Sequence, residues 1–177
     1  MKKFLVLLSA ITMAMALAAC SNSDESKIEK KEDQKEAAAP KVEVKKELVK
    51  FYMDLGNKIN AKDAELNSYV AKATKEDAKP EELPTAEDRA KASESASAVA
   101  VELNSVQIPT ELKEQKTDLE AAVKEYAASY QEKADELKKD APSLDAADKT
   151  FAQAEEKLGK VFESAKLLPP SLGKQVN

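Results

Sequence analysis

Several residue types are missing or scarce in this 177-residue chain, which has no histidine, no tryptophan, one cysteine and three glycines. Without histidine, and with Cys20 as its single cysteine, the sequence lacks the ligands of a zinc-type site. It also lacks the groups of a Cys/His or Ser/His/Asp catalytic arrangement. An internal disulfide is excluded as well, so a fold has to depend on packing alone.

The residues that are abundant favour helices. Apolar residues make up 42% of the chain and charged residues 34%, while aromatic residues account for 5%. This alanine-rich and glycine-poor composition predicts one helical domain of ordinary size. The formal net charge is −5, lysines alternate with acids, and Arg89 is the sole arginine. Because phosphate binding needs a concentrated basic face, nucleic acid is not an expected partner.

The first twenty residues have the order of a secretory signal. Lys2 and Lys3 precede an apolar run that begins at Phe4, and small residues follow before Cys20. A transmembrane helix needs roughly 20 apolar residues, and this run stops at the polar stretch SNSDESKIEKKED. The segment is therefore predicted to direct export rather than to span the membrane.

The four residues Leu17-Ala18-Ala19-Cys20 resemble the lipobox of bacterial lipoproteins. The resemblance implies transfer of diacylglyceryl to the Cys20 thiol and cleavage between Ala19 and Cys20 by the lipoprotein signal peptidase. It places the protein on the extracytoplasmic face of the cell membrane, where two acyl chains anchor durably and one does not. This covalent lipid is the only non-protein group expected. The alternatives are an uncleaved signal anchor or an ordinary signal with a chance cysteine.

Three segments follow from these patterns: a signal peptide over 1–19, a lipidated cysteine with a charged tether over 20–41, and a helical domain over 42–177. The tether contains one large apolar residue, Ile28, among charges of both signs. Such a segment cannot bury enough surface to fold by itself and would average about 25 Å as a flexible coil. Alternatively, the charged run docks on lipid headgroups or a wall polymer.

The first predicted helix covers residues 42–76. Its apolar side chains recur at helical spacing and are Leu48, Tyr52, Leu55, Ile59, Leu66, Tyr69 and Ala73. Gly56 should cost about 1 kcal/mol relative to alanine, so a kink is expected between Gly56 and Asp63. Pro80 and Pro84 then enforce a connection.

Three more helices are predicted downstream. The second begins at Thr85, which with Asp88 resembles a capping box, and the third has Pro109 as its first residue. A fourth follows Pro142 and Ser143 and ends near Lys166. The apolar tail beyond it is expected to fold back over one end of the domain. The predicted fold is an all-α, antiparallel up-down bundle of four helices, with a three-helix core and a loosely packed fourth helix as the alternative.

Four tyrosines are the candidate contact residues for a ligand or partner: Tyr52, Tyr69, Tyr126 and Tyr130. All lie on apolar stripes, where a tyrosine ordinarily packs its ring and points its hydroxyl outward. The acid pairs Glu81-Glu82 and Glu155-Glu156 are interpreted as solvated acids rather than metal ligands. The glycines are too scattered to form a phosphate loop, so no catalytic residue and no metal site are predicted.

These patterns predict a non-enzymatic, membrane-anchored lipoprotein whose domain binds an envelope protein or cell-wall polymer, or acts structurally in the envelope. The helix rhythm, with IPTEL at 108–112 and LLPPSL at 167–172, resembles small all-helical lipoproteins of Gram-positive, spore-forming bacteria, some described as cell-wall binding. One alternative is a small-ligand-binding module with its site between helices near the tyrosines. Another is an enzyme that uses carboxylates and tyrosines alone.

Overall fold

Helices are the only regular elements in residues 42–176, which are the residues that the computed structural model describes. The all-α prediction is therefore confirmed for this part of the chain. The predicted signal peptide, Cys20 and the tether lie outside the described residues. The five α-helices are α1 (Val42–Asn60), α2 (Ala64–Ala73), α3 (Ala86–Asn104), α4 (Lys116–Glu136) and α5 (Asp145–Ser164). Single 3₁₀ turns cover Pro80–Glu82, Thr110–Leu112 and Leu172–Lys174.

The first predicted helix is in fact two helices, with a break between Asn60 and Ala64. The break falls inside the interval expected for a kink, while Gly56 itself remains within α1. The break is stabilised from α3, because the Ser95 hydroxyl donates to the Lys62 carbonyl at 2.6 Å and accepts from the Leu66 amide at 3.4 Å. One side chain thus satisfies two backbone groups that the interruption releases.

The start of α3 is as predicted, and the start of α4 is not. The Asp88 amide donates to the Thr85 hydroxyl at 3.1 Å, and the Thr85 amide donates to the Asp88 carboxylate at 2.8 Å. This reciprocal pair is the expected capping box. Pro109 has extended backbone and precedes a 3₁₀ turn, so α4 begins later, at Lys116. The predicted role of Pro109 as the first residue of that helix is wrong.

Helix α3 lies between the α1–α2 pair on one side and α4 on the other. Near its beginning, Asp88 pairs with Lys72 of α2 at 2.7 Å, and near its end Glu102 pairs with Lys58 of α1. On the opposite side, the buried Ser93 hydroxyl donates to the Ala134 carbonyl of α4 at 2.7 Å. Buried serines thus allow α3 to contact neighbouring backbones on both sides.

Helix α4 also packs against α5. The buried Ser129 hydroxyl donates to the Ala147 carbonyl at 2.8 Å, and Lys133 pairs with Asp148 at 2.8 Å. Further along the same interface, Glu125 pairs with Lys157. The buried side chains of this core are mostly leucine, alanine and aromatic. Within residues 42–176, no helix combines the length and the apolar character that crossing a membrane requires.

The tail after α5 lies along α1 and α5, and the prediction that it covers one end of the domain is wrong. The Tyr52 hydroxyl donates to the Ser171 carbonyl at 2.9 Å, and the Asn60 amide group donates to the Gln175 carbonyl at 3.0 Å. Leu172 and Val176 are buried in the core. The tail therefore runs beside α1, where the burial of Leu172 and Val176 holds it.

Candidate functional site

Three of the four candidate tyrosines, from α1 and α4, contact phenylalanines of α5. The Tyr126 ring stands edge-on to Phe151 with centroids 4.9 Å apart, and Tyr130 contacts the same phenylalanine at 6.2 Å. Tyr52 contacts Phe162 at 6.0 Å. These five rings are called the aromatic cluster below. Edge-on pairs of this kind stabilise a core beyond the burial of their area.

The fourth candidate, Tyr69, lies elsewhere. It is buried on α2 and joins no ring contact among the described residues. The sequence pattern correctly put it on a buried stripe but gave no information about its distance from the other three. The structure therefore brings Tyr126 and Tyr130 together on Phe151, places Tyr52 near Tyr126, and leaves Tyr69 apart.

The hydroxyl groups of the aromatic cluster differ in their surroundings. Tyr52 donates to the tail, as described, whereas the Tyr126 hydroxyl is buried and has no hydrogen-bond partner among the described residues. The expectation of an outward hydroxyl is wrong for Tyr126. Burial raises the pKa of Tyr126, and the nearby Glu155 charge raises it further. Burial also raises the pKa of Tyr130, so both phenols are neutral at physiological pH.

Lys133 is a functional-site candidate that the sequence analysis did not single out. Its Nζ lies 5.6 Å from the ring centroids of both Tyr130 and Phe151, and it pairs with Asp148 at 2.8 Å. The side chain is largely buried. An ammonium group above two aromatic faces and beside one carboxylate is held by electrostatic attraction from three directions.

Glu155 corrects the interpretation of the second acid pair. It is half-buried, and its carboxylate accepts the Gly173 amide at 2.8 Å and the Ser171 hydroxyl at 3.3 Å. Its neighbour Glu156 is exposed and pairs with Lys160 at 2.7 Å, as a solvated acid does. Glu155 therefore holds the tail on α5. In the first acid pair, Glu81 is exposed, and Glu82 accepts from Lys75.

Asp63 is the one carboxylate buried in the described core, with 2% of its surface exposed. It precedes α2, and its Oδ2 atom has no hydrogen-bond partner among the described residues. Burial raises the pKa of Asp63, while the Asn67 side chain and the Lys133 charge oppose that rise. The nearby Asp63 charge in turn raises the pKa of Tyr130. Asp63, Tyr130 and Lys133 thus form one electrostatically connected group.

Four surface pockets are lined without any residue of the aromatic cluster. A pocket of 520 Å³ runs over α3, and its lining residues are Lys62, Ser93, Glu94, Ser97, Ala98, Val101, Glu102 and Lys138. Three further pockets, of 200, 300 and 380 Å³, are also lined without a tyrosine. Within residues 42–176, no group of three or more acids or cysteines is placed to hold a metal ion. The polar pocket on α3 and the aromatic cluster are thus separate features.

No protein family, curated protein or solved structure matches this chain.

Proposed function

We propose that this chain is a bacterial envelope lipoprotein, cleaved before Cys20 and anchored by lipid on that cysteine. Its domain binds an envelope protein or cell-wall polymer, or supports the envelope structurally, without catalysing a reaction. The observation that carries the proposal is the Leu17-Ala18-Ala19-Cys20 motif directly after a signal-like apolar run. Lipidation would then place the domain on the extracytoplasmic face of the membrane.

We also propose that the domain is an antiparallel four-membered bundle in which α1 and α2 together form the first member. The order of the contacts supports this arrangement. The end of α3 contacts α1 and its beginning contacts α2, and Ser93 of α3 reaches Ala134 near the end of α4. Between α4 and α5, Lys133 near the end of α4 pairs with Asp148 near the beginning of α5, and Glu125 in the middle of α4 pairs with the later Lys157. Neighbouring members that pair early residues with late ones run in opposite directions.

The placement of the polar groups supports a binding role rather than a chemical one. Glu155, Lys133 and Tyr52 are engaged in holding helices and tail together. The pocket on α3 instead offers serines and charges of both signs at the surface, around Ala98 and Val101. A polar rim around small apolar residues is a surface on which a partner protein can dock.

Substitution of Cys20 tests the anchor. The full chain should fractionate with membranes, and its mature form should begin at Cys20 with the added mass of a diacylglyceryl group. Cys20→Ser should remain uncleaved or leave the membrane fraction, whereas the matched change Ser23→Ala should alter neither mass nor location. A native chain that begins at Met1, or an unmodified Cys20, would refute the proposal.

Recovery of partners from intact envelopes tests the binding role. The lipidated full chain should retain a stable partner after mild cross-linking, and Ser97→Arg should reduce that recovery because it fills the pocket on α3 with a bulky charge. Ala128→Arg, a change at an exposed site on α4, is the matched control. Equal recovery by all three chains would contradict a role for this pocket.

One observation favours the alternative of a small-ligand site between helices. The Tyr126 hydroxyl is buried beside the Glu155 charge and has no partner among the described residues. A ligand that accepts a hydrogen bond there would raise the melting temperature in a thermal shift screen. That rise should vanish in Tyr126→Phe. The absence of any such ligand together with a recovered partner would favour the first function.

A further inference from the structure

One side of α1 exposes an unusual amount of apolar surface. Val42, Val49 and Met53 have 82%, 42% and 52% of their surface exposed. Their spacing of seven and four residues puts them on the same face of the helix. The opposite face carries Leu48, Phe51 and Leu55 into the core. Helix α1 is thus apolar on both sides, although only one side is covered in the described structure.

The tail adds a fourth side chain to this surface. Leu168 has 88% of its surface exposed. The residues around it are fixed on α1, because Lys45 donates to the Lys166 carbonyl at 3.3 Å and Tyr52 donates to the Ser171 carbonyl. These bonds bring the segment that carries Leu168 alongside the stretch of α1 that carries Val49. Val42, Val49, Met53 and Leu168 are called the α1 face below.

This clustering is not a general property of the surface. Six large apolar side chains are exposed in the described part of the chain, and the α1 face holds four of them. The other two, Leu83 and Val101, lie in the loop before α3 and on α3 itself. Apolar residues scattered singly need no explanation, whereas a contiguous exposed patch indicates a contact surface.

The charges nearest the α1 face are lysines. Lys46 is exposed and lies on the same side, between Val42 and Val49. Lys45 and Lys50 flank it, whereas the acids of α1, which are Glu43, Glu47 and Asp54, lie further round the helix. Glu47 is half-buried and pairs with Lys50 at 3.3 Å. Apolar side chains rimmed by lysine are typical of helices that lie at a lipid surface.

We infer that the α1 face rests on the lipid surface to which Cys20 is anchored, so that the domain lies against the bilayer. This inference rests on the proposed function. Residues 20–41 connect the lipid to Val42, and a chain of that length spans less than about 80 Å even when fully extended. The α1 face is therefore the first surface of the domain that follows the anchor. Anionic headgroups would attract its lysines while its apolar side chains enter the boundary of the acyl chains.

Charge favours lipid over a second copy of the chain as the occupant. A two-fold contact between two copies would place the same patch on both sides, and Lys46 of each copy would then face like charge. Juxtaposed like charges oppose association. An anionic lipid surface complements the same lysines, and each lysine near such a surface strengthens partitioning by about fivefold.

The test uses the full chain with an environment-sensitive fluorophore on one engineered cysteine. Met53→Cys reports on the α1 face, and Ala128→Cys on the exposed side of α4 is the matched control. Lipidated chains are reconstituted into phosphatidylcholine vesicles with a minority of phosphatidylglycerol. Emission from Met53→Cys should shift to the blue and be quenched by nitroxide-labelled lipid, while Ala128→Cys should report water. Lys46→Glu with Lys50→Glu should reduce the Met53→Cys response by more than tenfold.

The outcomes separate this inference from the anchor. Aqueous emission from Met53→Cys on chains that sediment with vesicles overturns the inference and leaves the anchor intact. A label that is shielded without vesicles, and more so at higher protein concentration, identifies a contact between copies and also overturns it. If Met53→Cys in a Cys20→Ser background still responds to phosphatidylglycerol vesicles, the inference holds even where lipidation at Cys20 has failed.

Discussion

Replacing Glu155 with alanine should loosen the tail and destabilise the whole domain. The change removes the carboxylate that accepts the Gly173 amide at 2.8 Å and the Ser171 hydroxyl at 3.3 Å. Hydrogen bonds to charged groups contribute about 1.5–3 kcal/mol each when buried, and this site is half-buried, so a total loss of about 2 kcal/mol is expected. For a domain of this size, such a loss lowers the melting temperature by roughly 6 °C.

Glu156→Ala is the matched control, because it removes the same chemical group one residue later. Glu156 is exposed and pairs only with Lys160 of its own helix, so its loss should change the free energy of unfolding by less than about 0.5 kcal/mol. Denaturant unfolding measures both variants, and hydrogen exchange at Gly173 and Gln175 reports on the tail. Equal losses in the two variants, or unchanged exchange in Glu155→Ala, would refute the assignment of Glu155 as the tail's anchor.

Three further substitutions test the core and the caps. Tyr126→Phe removes a buried hydroxyl without a described partner, so stability in denaturant should stay the same or rise, and a loss above about 1 kcal/mol would reveal a missed hydrogen bond. Asp63→Asn should raise the free energy of unfolding at neutral pH. Burial raises the pKa of Asp63 in the folded state above the ordinary value of 3.8, so the folded protein loses stability as the pH rises and Asp63 ionises. Asparagine stays neutral and avoids that loss. The gain should disappear in melts below pH 3.8, and a gain that is independent of pH would contradict this account. Thr85→Ala should cost about 1 kcal/mol in thermal unfolding through the lost cap, and Thr85→Ser should retain most of that stability.

The helices that could be predicted from the sequence are those whose signals are local. The period of the apolar residues located α3, α4 and α5 and the region that α1 and α2 share, and the Thr85–Asp88 pair located one end, because both signals act within a few residues. For the break between α1 and α2, the sequence predicted only the interval in which it would fall. The side chain that binds the released backbone groups is Ser95, about thirty residues later on α3. No local sequence pattern identifies a serine in that role. The start of α4 was misplaced because proline at 109 suits an extended residue before a turn as well as a first helical residue.

Contacts between distant residues also limited what could be predicted of the candidate site. Periodicity correctly put the tyrosines on buried stripes, but their distances depend on how helices pack, and Tyr69 proved separate. Glu155 and Glu156 are chemically identical neighbours, and only the path of the tail decides that one accepts its hydrogen bonds while the other is solvated. Lys133 was overlooked because a lysine on a charged helix resembles any solvated cation until aromatic rings are found beneath it.

The tail links the stability of the domain to its proposed membrane contact. The same segment that Glu155 holds on α5 also carries Leu168, and the bonds from Lys45 and Tyr52 fix that segment on α1. A tail that is released from α5 would no longer present Leu168 at a fixed position beside Val49. Glu155 therefore affects the α1 face without touching it, whereas Lys46 is exposed beside the face and does not contribute to the core. If the α1 face binds lipid, Glu155→Ala should weaken that contact together with folding stability, and a change of charge at Lys46 should weaken the contact alone.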